Sequence, residues 1–471
     1  MSPDKREKER SVAALVAPDI LDLLESEPAS IAAETEELHP ADLADVAELL
    51  PRELVPKMLM ALPRERAASV LEYMQDELRS EVLEAMDPEQ AAALLSGMTP
   101  DERADALDEM DAETADEILE ELPDRERAET ERLLQYEPDT AGGLMTTEFV
   151  AVPDSQTVED ALAAVRTIAR AGRREAMGTV YAVNREGVIT GVLSLRELLA
   201  APEGTLINEV AWSEFVTVQA TADREEVAQL TQNYALGAVP VVDADMKLLG
   251  VVTVDDVIDV IQEEQTEDVQ KMGGLEALEE PYLQSGLLEL LKKRAGWLMI
   301  LFVGEMLTAT AMAYYEAEIA SAVVLALFVP LIISSGGNSG SQATSLIIRA
   351  MALREVSLAD WWRVAAREVV AGVSLGVILG TLGVARVLFA QQLGLYDYGE
   401  NAGRIAATVG ISLVGVVTFG TLTGSMLPFA LRRMGFDPAS ASAPFVATLV
   451  DVTGLVIYFS VALALLRGTL L

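Results

Sequence analysis

One carboxylate lies in the middle of an apolar segment near the C-terminus. Asp451 stands about ten residues into a segment that runs from roughly 441 to 466, so a helix would carry it about 15 Å along its axis, near the centre of a bilayer. A carboxylate at that depth costs several kcal/mol, and no basic residue lies in the middle of the apolar segments to pair with it. We therefore interpret Asp451 as a residue that handles ions or protons. Glu305, in an earlier apolar segment, fits either the same path or a hydrated groove between two copies.

A polar, glycine-rich stretch ends another apolar segment. Pro330 precedes residues 334–342, which contain Gly336, Gly337 and Asn338 among serines. The pattern predicts that the helix breaks here, and unpaired carbonyl groups at membrane depth are tolerated where they line a water-filled path. The small and hydroxylated residues between 408 and 425 instead favour close helix packing.

A third feature is a run of acidic residues just before the apolar part of the chain. Seven carboxylates lie within fourteen residues: Asp255, Asp256, Asp259, Glu263, Glu264, Glu267 and Asp268. On a helix, like charges four residues apart repel each other, and bound divalent cations would relieve that repulsion. A solvated acidic face is the alternative, because no EF-hand spacing is present.

The chain that positions these residues has two unlike parts. Residues 1–285 hold 64 acidic and 22 basic residues, whereas residues 286–471 hold 11 and 12. The strongly negative first part repels polyanions, which excludes DNA and RNA as partners. With no cysteine and one histidine, His39, thiolate and His-rich metal sites are excluded as well. A solvated or salt-adapted surface is the alternative explanation for most of the acidic residues.

The second part contains five apolar segments, each near the about 20 residues of a membrane-spanning helix. They run roughly over 295–315, 319–335, 368–390, 405–431 and 441–466. The loops on one side hold Lys292, Lys293, Arg294, Arg349, Arg354, Arg363, Arg367, Arg432 and Arg433, and those on the other side hold Arg386, Arg404 and Arg467. The positive-inside rule therefore predicts a cytoplasmic N-terminal part and a C-terminus outside. No cleavable signal sequence is expected, because the first ten residues are highly charged.

Residues 51–134 contain a repeat with a period of twelve residues. Each unit ends in a large aliphatic residue: Leu62, Met74, Met86, Met98, Met110, Leu122 and Leu134. Residues suited to helix starts stand at the joints: Pro51, Pro63, Asp87, Thr99, Asp111 and Pro123. Helices this short cannot bury a face alone, so they must stack into a right-handed or curved superhelical array, which is an interaction scaffold and not an enzyme.

Residues 149–198 and 216–257 repeat one pattern of strands and helices. Each half predicts a βαββα unit, and the two units in tandem predict a compact regulatory pair. Neither half carries a Walker lysine or a GxGxxG loop, so nucleotide hydrolysis is not indicated.

Taken together, these features resemble the MgtE family of magnesium channels over essentially residues 35–471. The matching stretches are Asp139–Met145, the two halves just described, Val254–Gly273, Pro330–Gln342 and Asp451–Leu455. The resemblance implies a multidomain fold: a tail (1–34), an all-α superhelical N domain (35–137), a tandem α/β CBS pair (138–203 and 204–265), a connecting plug helix (266–290) and a five-helix α transmembrane pore domain (291–471). It also implies a homodimer in the cell membrane, with the pore on the dimer axis.

The same resemblance assigns roles to individual residues. Asp451 would be the pore carboxylate that faces the hydrated ion, with Gly336, Gly337, Asn338 and Ala447 along the ion path. The implied regulatory ligands are Asp101, Asp105, Asp223, Glu225, Asp256, Asp259, Glu264, Glu267 and Asp268. Some members of the family bind ATP between CBS domains, and no residue here settles whether this chain does. Ala443 departs from the family pattern, where Asn or Gly is expected, so only backbone carbonyls could contribute to an ion site there.

Oxygen ligands suit Mg²⁺, which loses its water reluctantly. The leading interpretation is a channel or transporter that imports Mg²⁺ and is closed by cytoplasmic Mg²⁺. The nearest alternative is a channel for Co²⁺, Mn²⁺ or Ni²⁺, and a different class would be a membrane-anchored sensor of divalent cations. An intramembrane enzyme is disfavoured, because the apolar segments hold neither paired catalytic aspartates nor histidine.

Overall fold

The structure is a computed structural model that describes residues 12–170, 178–278, 282 and 285–470. The chain divides into two units between Gln262 and Glu263. The first unit opens with a helical array, whose helices are α1 (Val12–Ser26), α2 (Ile31–Glu34), α3 (Pro40–Leu49), α4 (Val55–Ala61), α5 (Arg64–Glu72), α6 (Asp76–Glu84), α7 (Pro88–Leu95), α8 (Pro100–Asp108), α9 (Ala112–Glu121) and α10 (Asp124–Leu133).

The twelve-residue period of the sequence is the period of the helix starts. The N-cap residues are His39, Pro51, Pro63, Gln75, Asp87, Thr99, Asp111 and Pro123. The Asp87 carboxylate accepts a hydrogen bond from the backbone N–H of Glu89, and Asp111 accepts one from that of Glu113, so both satisfy amides that a helix leaves unpaired. Each helix from α3 to α8 packs against the helix two places further along, which produces the predicted stacked array.

The expectation that residues 1–34 form a tail is wrong for the described part of that range. Residues 12–26 form α1, which packs against α3. Ala13, Ala17, Ile20 and Leu24 share one face of α1 and are buried in the core of the array. Their spacing is that of an apolar helix face, which requires a packing partner. Residues 1–11 lie outside the described residues.

Two three-stranded sheets follow the array and have the same topology. In each sheet the first strand runs parallel to the second, and the second runs antiparallel to the third. The first half comprises β1 (Val150–Pro153), α11 (Val158–Arg170), β2 (Thr179–Val183), β3 (Ile189–Ser194), α12 (Leu195–Ala200) and α13 (Ile207–Val210). The second half comprises β4 (Val218–Gln219), α14 (Arg224–Tyr234), β5 (Ala238–Val242) and β6 (Leu248–Thr253), and it leads into α15 (Val254–Met272). The predicted pair of βαββα units is therefore confirmed.

The helical array packs directly on the second half of this pair. Ala104 of α8 and Leu133 of α10 share one apolar cluster with Val227 of α14 and Val257 of α15. Consequently the first turns of α8 and α15, which carry acidic residues, belong to one packed region.

Helix α15 is shorter than the plug helix expected over 266–290. It ends at Met272, where Gly273 and Gly274 follow and Gly274 has a φ of +75°. That left-handed conformation suits glycine and terminates a helix. Residues 276–278 are not helical, and the next helix begins at Leu287. Residues 279–281, 283 and 284 of the expected plug helix lie outside the described residues.

The described residues contain five helices that are long and apolar enough to cross a membrane, as predicted. The helices of this region are α16 (Leu287–Tyr314), α17 (Glu316–Ser321), α18 (Val323–Ala326), α19 (Val329–Ala352), α20 (Trp361–Gln392), α21 (Ala402–Arg433) and α22 (Ala443–Leu466). Its core includes Tyr458, whose buried hydroxyl donates a hydrogen bond of 2.9 Å to the carbonyl oxygen of Leu325.

The predicted helix break at residues 334–342 is wrong, because α19 runs through them without interruption. The glycines of this stretch serve close packing instead. Gly336 and Gly340 lie against Gly420 and Gly424 of α21, where the backbones approach too closely for any side chain. The backbone carbonyl groups of residues 334–342 belong to a regular helix, so they are not the unpaired carbonyl groups that a helix break would leave along a water-filled path. The packing role predicted for residues 408–425 is confirmed by the same contacts and by the contact of Gly380 with Gly410.

Candidate functional site

Asp451 lies in the third turn of α22 and is half-buried within a single chain. The start of α22 is fixed by Ser442, whose hydroxyl accepts a hydrogen bond of 3.4 Å from the backbone N–H of Phe445. Helix α16 packs on α22 with Gly304 against Thr448. One residue further along α16, Glu305 lies close enough to interact with the carboxyl group of Asp451. Two acidic groups therefore meet between these helices, with Asp451 the more buried of the two.

The glycine stretch of α19 lies beside the turn of α22 that precedes Asp451. A Cβ at Gly337 would lie 3.5 Å from the Cβ of Ala447, and one at Gly336 would lie 2.8 Å from Cγ1 of Val450. Asn338 is exposed on the surface of the single chain. The structure thus brings together the residues expected along the ion path, although on a continuous helix.

The first unit holds a group of carboxylates, one buried and three half-buried, which we call the α8 cluster: Asp101, Glu102 and Asp105 of α8 and Asp256 of α15. The Asp101 side chain is 4% exposed, and its Oδ1 has no hydrogen-bond partner. Burial raises the pKa of Asp101. Burial and the neighbouring Asp101 carboxylate raise the pKa of Asp105 to about 8 and that of Asp256 to about 7. The cluster therefore resists full ionisation unless a cation is present.

The carboxylate of Asp256 is held in place by the start of its own helix. Its Oδ2 accepts hydrogen bonds from the backbone N–H of Thr253 at 3.3 Å and from the Thr253 hydroxyl at 2.5 Å. The equivalent position of the first half has the same arrangement, in which Glu197 accepts from the backbone N–H and hydroxyl of Ser194. The local fold thus orients Asp256 before any ion binds.

Two buried guanidinium groups, those of Arg79 and Arg103, lie beside the α8 cluster. Arg79 of α6 is 4% exposed and binds both carboxylate oxygens of Glu109, at 2.6 and 3.2 Å. It also reaches Glu102 at 3.3 Å and Asp76 at 3.0 Å. Burial raises the pKa of Glu102 to about 9 despite the opposing charge of Arg79. Arg103 of α8 is also buried, pairs with Glu129 at 3.7 Å and interacts with the charge of Asp101. The pKa values of Asp105 and Asp256 are raised although both guanidinium groups are present, so the region keeps a demand for positive charge.

A second acidic group lies within the second unit, at the end of α15. We call it the α15-end cluster: Glu264, Glu267 and Asp268 of α15 with Asp437, which follows α21. Burial, Asp437 and Glu264 raise the pKa of Asp268 to about 6. Lys271 lies among them, and its ammonium group pairs with Asp437 at 2.7 Å and with Glu267.

The remaining expected ligands occupy helix starts and surfaces. Asp223 is the N-cap of α14, and its Oδ1 accepts a hydrogen bond of 2.8 Å from the backbone N–H of Glu225. Burial and Asp255 raise the pKa of Asp259. Among the described residues, no three acidic or histidine side chains are already gathered into a metal-binding cage. Such open sites suit an ion that keeps several of its waters, as Mg²⁺ does.

Sequence reasoning missed Arg79, Glu109, Lys271 and Asp437. Each makes its main contacts with residues far away in sequence, and the local pattern around each is that of an ordinary surface helix or turn. The twelve-residue period gave a partial indication of the role of Arg79, because it places α6, the helix of Arg79, beside α8 in the array.

Comparison with known proteins identifies the parts in turn. Residues 38–139 match the family described as the MgtE intracellular N domain, residues 141–204 and 207–263 match CBS domains, and residues 329–461 match the family described as divalent cation transporter. A magnesium transporter MgtE from Thermus thermophilus is 43% identical over 344 residues, which cover 73% of this chain and 74% of that protein. The chain belongs to the MgtE family.

Other MgtE relatives support the same assignment. The magnesium transporter MgtE of Enterococcus faecalis is 34% identical over 342 residues, 73% of this chain and 72% of that protein. Two solved structures each cover about half of this chain with a TM-score of 0.50. One is the soluble part of a magnesium transporter, 32% identical over 54% of this chain and 99% of that one. The other is the cytosolic domain of the Mg²⁺ channel MgtE in complex with ATP, 37% identical over 52% of this chain and 99% of that one.

The MgtE assignment gives the first unit an N domain followed by a CBS pair, and the second unit the membrane domain of a multi-pass magnesium transporter. Asp451, Ala447, Gly336 and Gly337 all lie within the residues matched by the transporter family. The α8 cluster joins the region of the N domain to that of the second CBS domain.

Proposed function

We propose that this chain conducts Mg²⁺ across the membrane as a channel, and that Mg²⁺ on the side of the N and CBS domains closes it. The observation that carries the conducting role is Asp451, a half-buried carboxylate in the third turn of the most apolar spanning helix. A charged group at that depth is retained for a function such as an ion pathway.

The surroundings of Asp451 suit a hydrated ion. Ala447 and Gly337 meet one turn before it, and both are small, so neither fills the space beside the carboxylate. Mg²⁺ prefers oxygen ligands and gives up its water reluctantly, so a wide site with one carboxylate per chain can hold it through water.

A homodimer supplies the enclosed path that one chain lacks. Asn338 and Gln342 are polar side chains of α19, and both are exposed on the single chain within a membrane helix. Lipid cannot hydrogen-bond with them, whereas a water-filled path between two copies can. Two Asp451 carboxylates would then face one ion from opposite sides.

Closure by Mg²⁺ follows from the charge of the α8 cluster. The buried Asp101 and the half-buried Asp105 and Asp256 come from two domains, and their repulsion opposes the packing of the N domain on the second CBS domain. A bound divalent cation reverses the sign of that interaction, and it favours the packed state in proportion to its difference in affinity. Helix α15 carries Asp256 in its first turn and ends at Met272, which belongs to the second unit.

The distribution of basic loops supports a cytoplasmic location for the N and CBS domains and an outside location for the C-terminus, so the channel senses the Mg²⁺ it imports. Binding of ATP at the CBS pair belongs to the same proposal, on the strength of the 37% identical cytosolic domain solved with ATP.

The test is ion flux into liposomes that contain the purified full-length chain, with Mg²⁺, Mn²⁺, Co²⁺, Ni²⁺ and Ca²⁺ supplied in turn. Wild type should pass Mg²⁺, and Asp451→Asn should reduce that flux strongly while the protein elutes as before in size-exclusion chromatography. Flux through wild type no greater than that of empty liposomes would leave the membrane helices as an anchor for a sensor, and equal flux through both proteins would remove Asp451 from the ion path. Preference for another metal would make the chain a channel for that ion instead.

A further inference from the structure

Helix α15 ends against the turn that leads into α22, and one ion pair joins the two. Lys271, in the last turn of α15, donates a hydrogen bond of 2.7 Å to Oδ2 of Asp437. Both side chains are half-buried, with 29% of Lys271 and 37% of Asp437 exposed. The ammonium group of Lys271 also pairs with Glu267, so two carboxylates hold it in place.

The two carboxylate oxygens of Asp437 accept hydrogen bonds from two different groups. Oδ2 binds Lys271, and Oδ1 accepts a hydrogen bond of 2.8 Å from the backbone N–H of Ala439. The second bond caps the short turn Pro438–Ser440, and Ser442 then caps α22. One carboxylate therefore ties the end of α15 to the turn that sets the start of α22.

Apolar and aromatic contacts also hold the C-terminal end of α15 in place. Met272 packs into the cluster formed by Ile348, Ala439 and Ala441. Just after the helix, Gly274 approaches the Trp297 ring so closely that a Cβ would lie 2.7 Å from it. Trp297 in turn donates a hydrogen bond of 3.0 Å from Nε1 to the hydroxyl of Ser442.

These contacts differ in how well they can pass a movement of α15 on to α22. The packing of Met272 is non-directional, and the Trp297 bond joins α16 to α22 without touching α15. The Lys271–Asp437 pair is directional and charged, and it links the last turn of α15 to the turn before α22.

We propose that the Lys271–Asp437 ion pair is the coupling element between α15 and α22, which positions the start of the helix that carries Asp451. A shift of the end of α15 pulls on the Asp437 carboxylate, moves the capped turn, and so moves the first turns of α22, including Ala447. Lys271 is thus a positioning residue, since it acts on the ion path through Asp437. This inference rests on the proposed function, because it concerns closure of the same path.

A different role for Lys271 predicts an opposite change in the Mg²⁺ concentration that is needed for closure. If Lys271 only neutralised the α15-end cluster in place of a metal ion, its removal would free Asp437 and Asp268 for Mg²⁺ and would lower the concentration needed for closure. If it couples the helices, its removal should raise that concentration, because ion binding elsewhere on α15 no longer reaches α22.

The experiment is a double-mutant cycle on the full-length protein in liposomes, with Mg²⁺ flux measured against the Mg²⁺ concentration on the side of the N domain. Lys271→Met keeps the apolar stem of the side chain, and Asp437→Asn keeps an oxygen that can cap Ala439. Each should raise the half-closing Mg²⁺ concentration about tenfold, and the double variant should also show about tenfold rather than about a hundredfold, because both changes remove one interaction. Lys271→Arg should close like wild type, and so should Lys247→Met, which removes an exposed lysine from the second CBS domain.

A second readout separates coupling from misfolding. Protection of residues 99–110 from protease by Mg²⁺ should be unchanged in Lys271→Met, because the α8 cluster is intact. Wild-type closure in Lys271→Met, a lowered half-closing concentration, or additive effects in the double variant would each overturn the coupling role alone. Failure of wild type to close would overturn the proposed function together with this inference.

Discussion

Asp101 of the N domain lies close to Asp256 of the second CBS domain. Burial and the Asp101 carboxylate together raise the pKa of the Asp256 carboxyl group to about 7. Two domains are therefore packed together across a pair of like charges. Such contact is costly without a counter-ion, since an unpaired buried carboxylate loses its hydration. Arg79 pairs with the neighbouring Glu102 and Glu109, and Arg103 interacts with Asp101, yet the pKa of Asp256 stays raised. The Asp101–Asp256 contact is therefore a place where a divalent cation would favour the packed state.

Neutralising Asp105 and Asp256 of the α8 cluster should remove the stabilisation by Mg²⁺. In wild type, Mg²⁺ at about 100 times its dissociation constant should add about 3 kcal/mol of apparent stability. Asp105→Asn together with Asp256→Asn should abolish most of that gain and should raise the stability of the Mg²⁺-free protein, because the repulsion is gone. Thermal unfolding of the purified full-length protein with and without Mg²⁺ measures both effects. Asp19→Asn, on the exposed face of α1, is the control.

The raised pKa values predict how Mg²⁺-free stability depends on pH. The carboxyl of Asp256 moves from its usual 3.8 to about 7 in the folded chain, and that of Asp105 to about 8. The folded state therefore binds more protons than the unfolded state between about pH 4 and about pH 8, so this contribution to stability is greatest below about pH 4 and is lost by about pH 8. The unfolding midpoint in a chelator should drop between about pH 4 and about pH 8 and level off above that range, and Mg²⁺ should lessen the drop. A flat profile in wild type, or an equal drop in the doubly neutralised variant, would contradict this account.

Removal of Arg79 should destabilise the N domain strongly. Arg79→Met leaves Glu109 and Glu102 without their buried partner, and the loss of one member of such a group costs about 3–5 kcal/mol. Mg²⁺ should recover part of this loss, because the freed carboxylates offer it further ligands. Arg79→Lys should be intermediate, because an ammonium group cannot bind both oxygens of Glu109 in a fork. Chemical denaturation at several Mg²⁺ concentrations measures the effect, and a loss that Mg²⁺ does not change would show that Arg79 has only a packing role.

The two adjacent glycines of α19 should differ sharply in their tolerance of a side chain. A Cβ at Gly336 would lie 2.5 Å from Cγ1 of Val416, so Gly336→Ala forces the helices apart at a cost of about 1–3 kcal/mol. A Cβ at Gly337 meets Ala447 at an ordinary contact distance, so Gly337→Ala should fold normally. Thermal stability and Mg²⁺ flux of the two variants provide the comparison. Greater damage from Gly337→Ala would place the critical contact on the other face of the helix.

The sequence predicted the elements that follow local rules. The twelve-residue spacing of caps such as Asp87 and Asp111 reports helix starts directly, and apolar length reports the spanning helices. The helix break at 334–342 was predicted wrongly, because the same glycines allow either a break or close packing, and only the partner helix with Gly420 and Gly424 decides between them.

The charged residues of the two acidic clusters were predicted in part. The carboxylates of α8 and α15 stand out by their density, but their partners Arg79 and Lys271 do not. An ion pair such as Lys271–Asp437 joins residues that are remote in sequence, and only the packing of α15 against the turn before α22 brings them together. The end of α15 at Met272 could have been read from the glycine pair that follows it.

The most direct test of the central claim is the current carried by Mg²⁺ through the full-length protein in a planar bilayer, with the Mg²⁺ concentration raised only on the side of the N and CBS domains at constant ionic strength. The account predicts an open channel at low Mg²⁺ and a fall of about tenfold or more in open probability as Mg²⁺ reaches the millimolar range. Asp105→Asn with Asp256→Asn should stay open over the same range, and Asp451→Asn should carry little Mg²⁺ current at any concentration. A wild-type Mg²⁺ current that does not change with Mg²⁺ on that side, or the absence of Mg²⁺ current under all these conditions, would contradict the account.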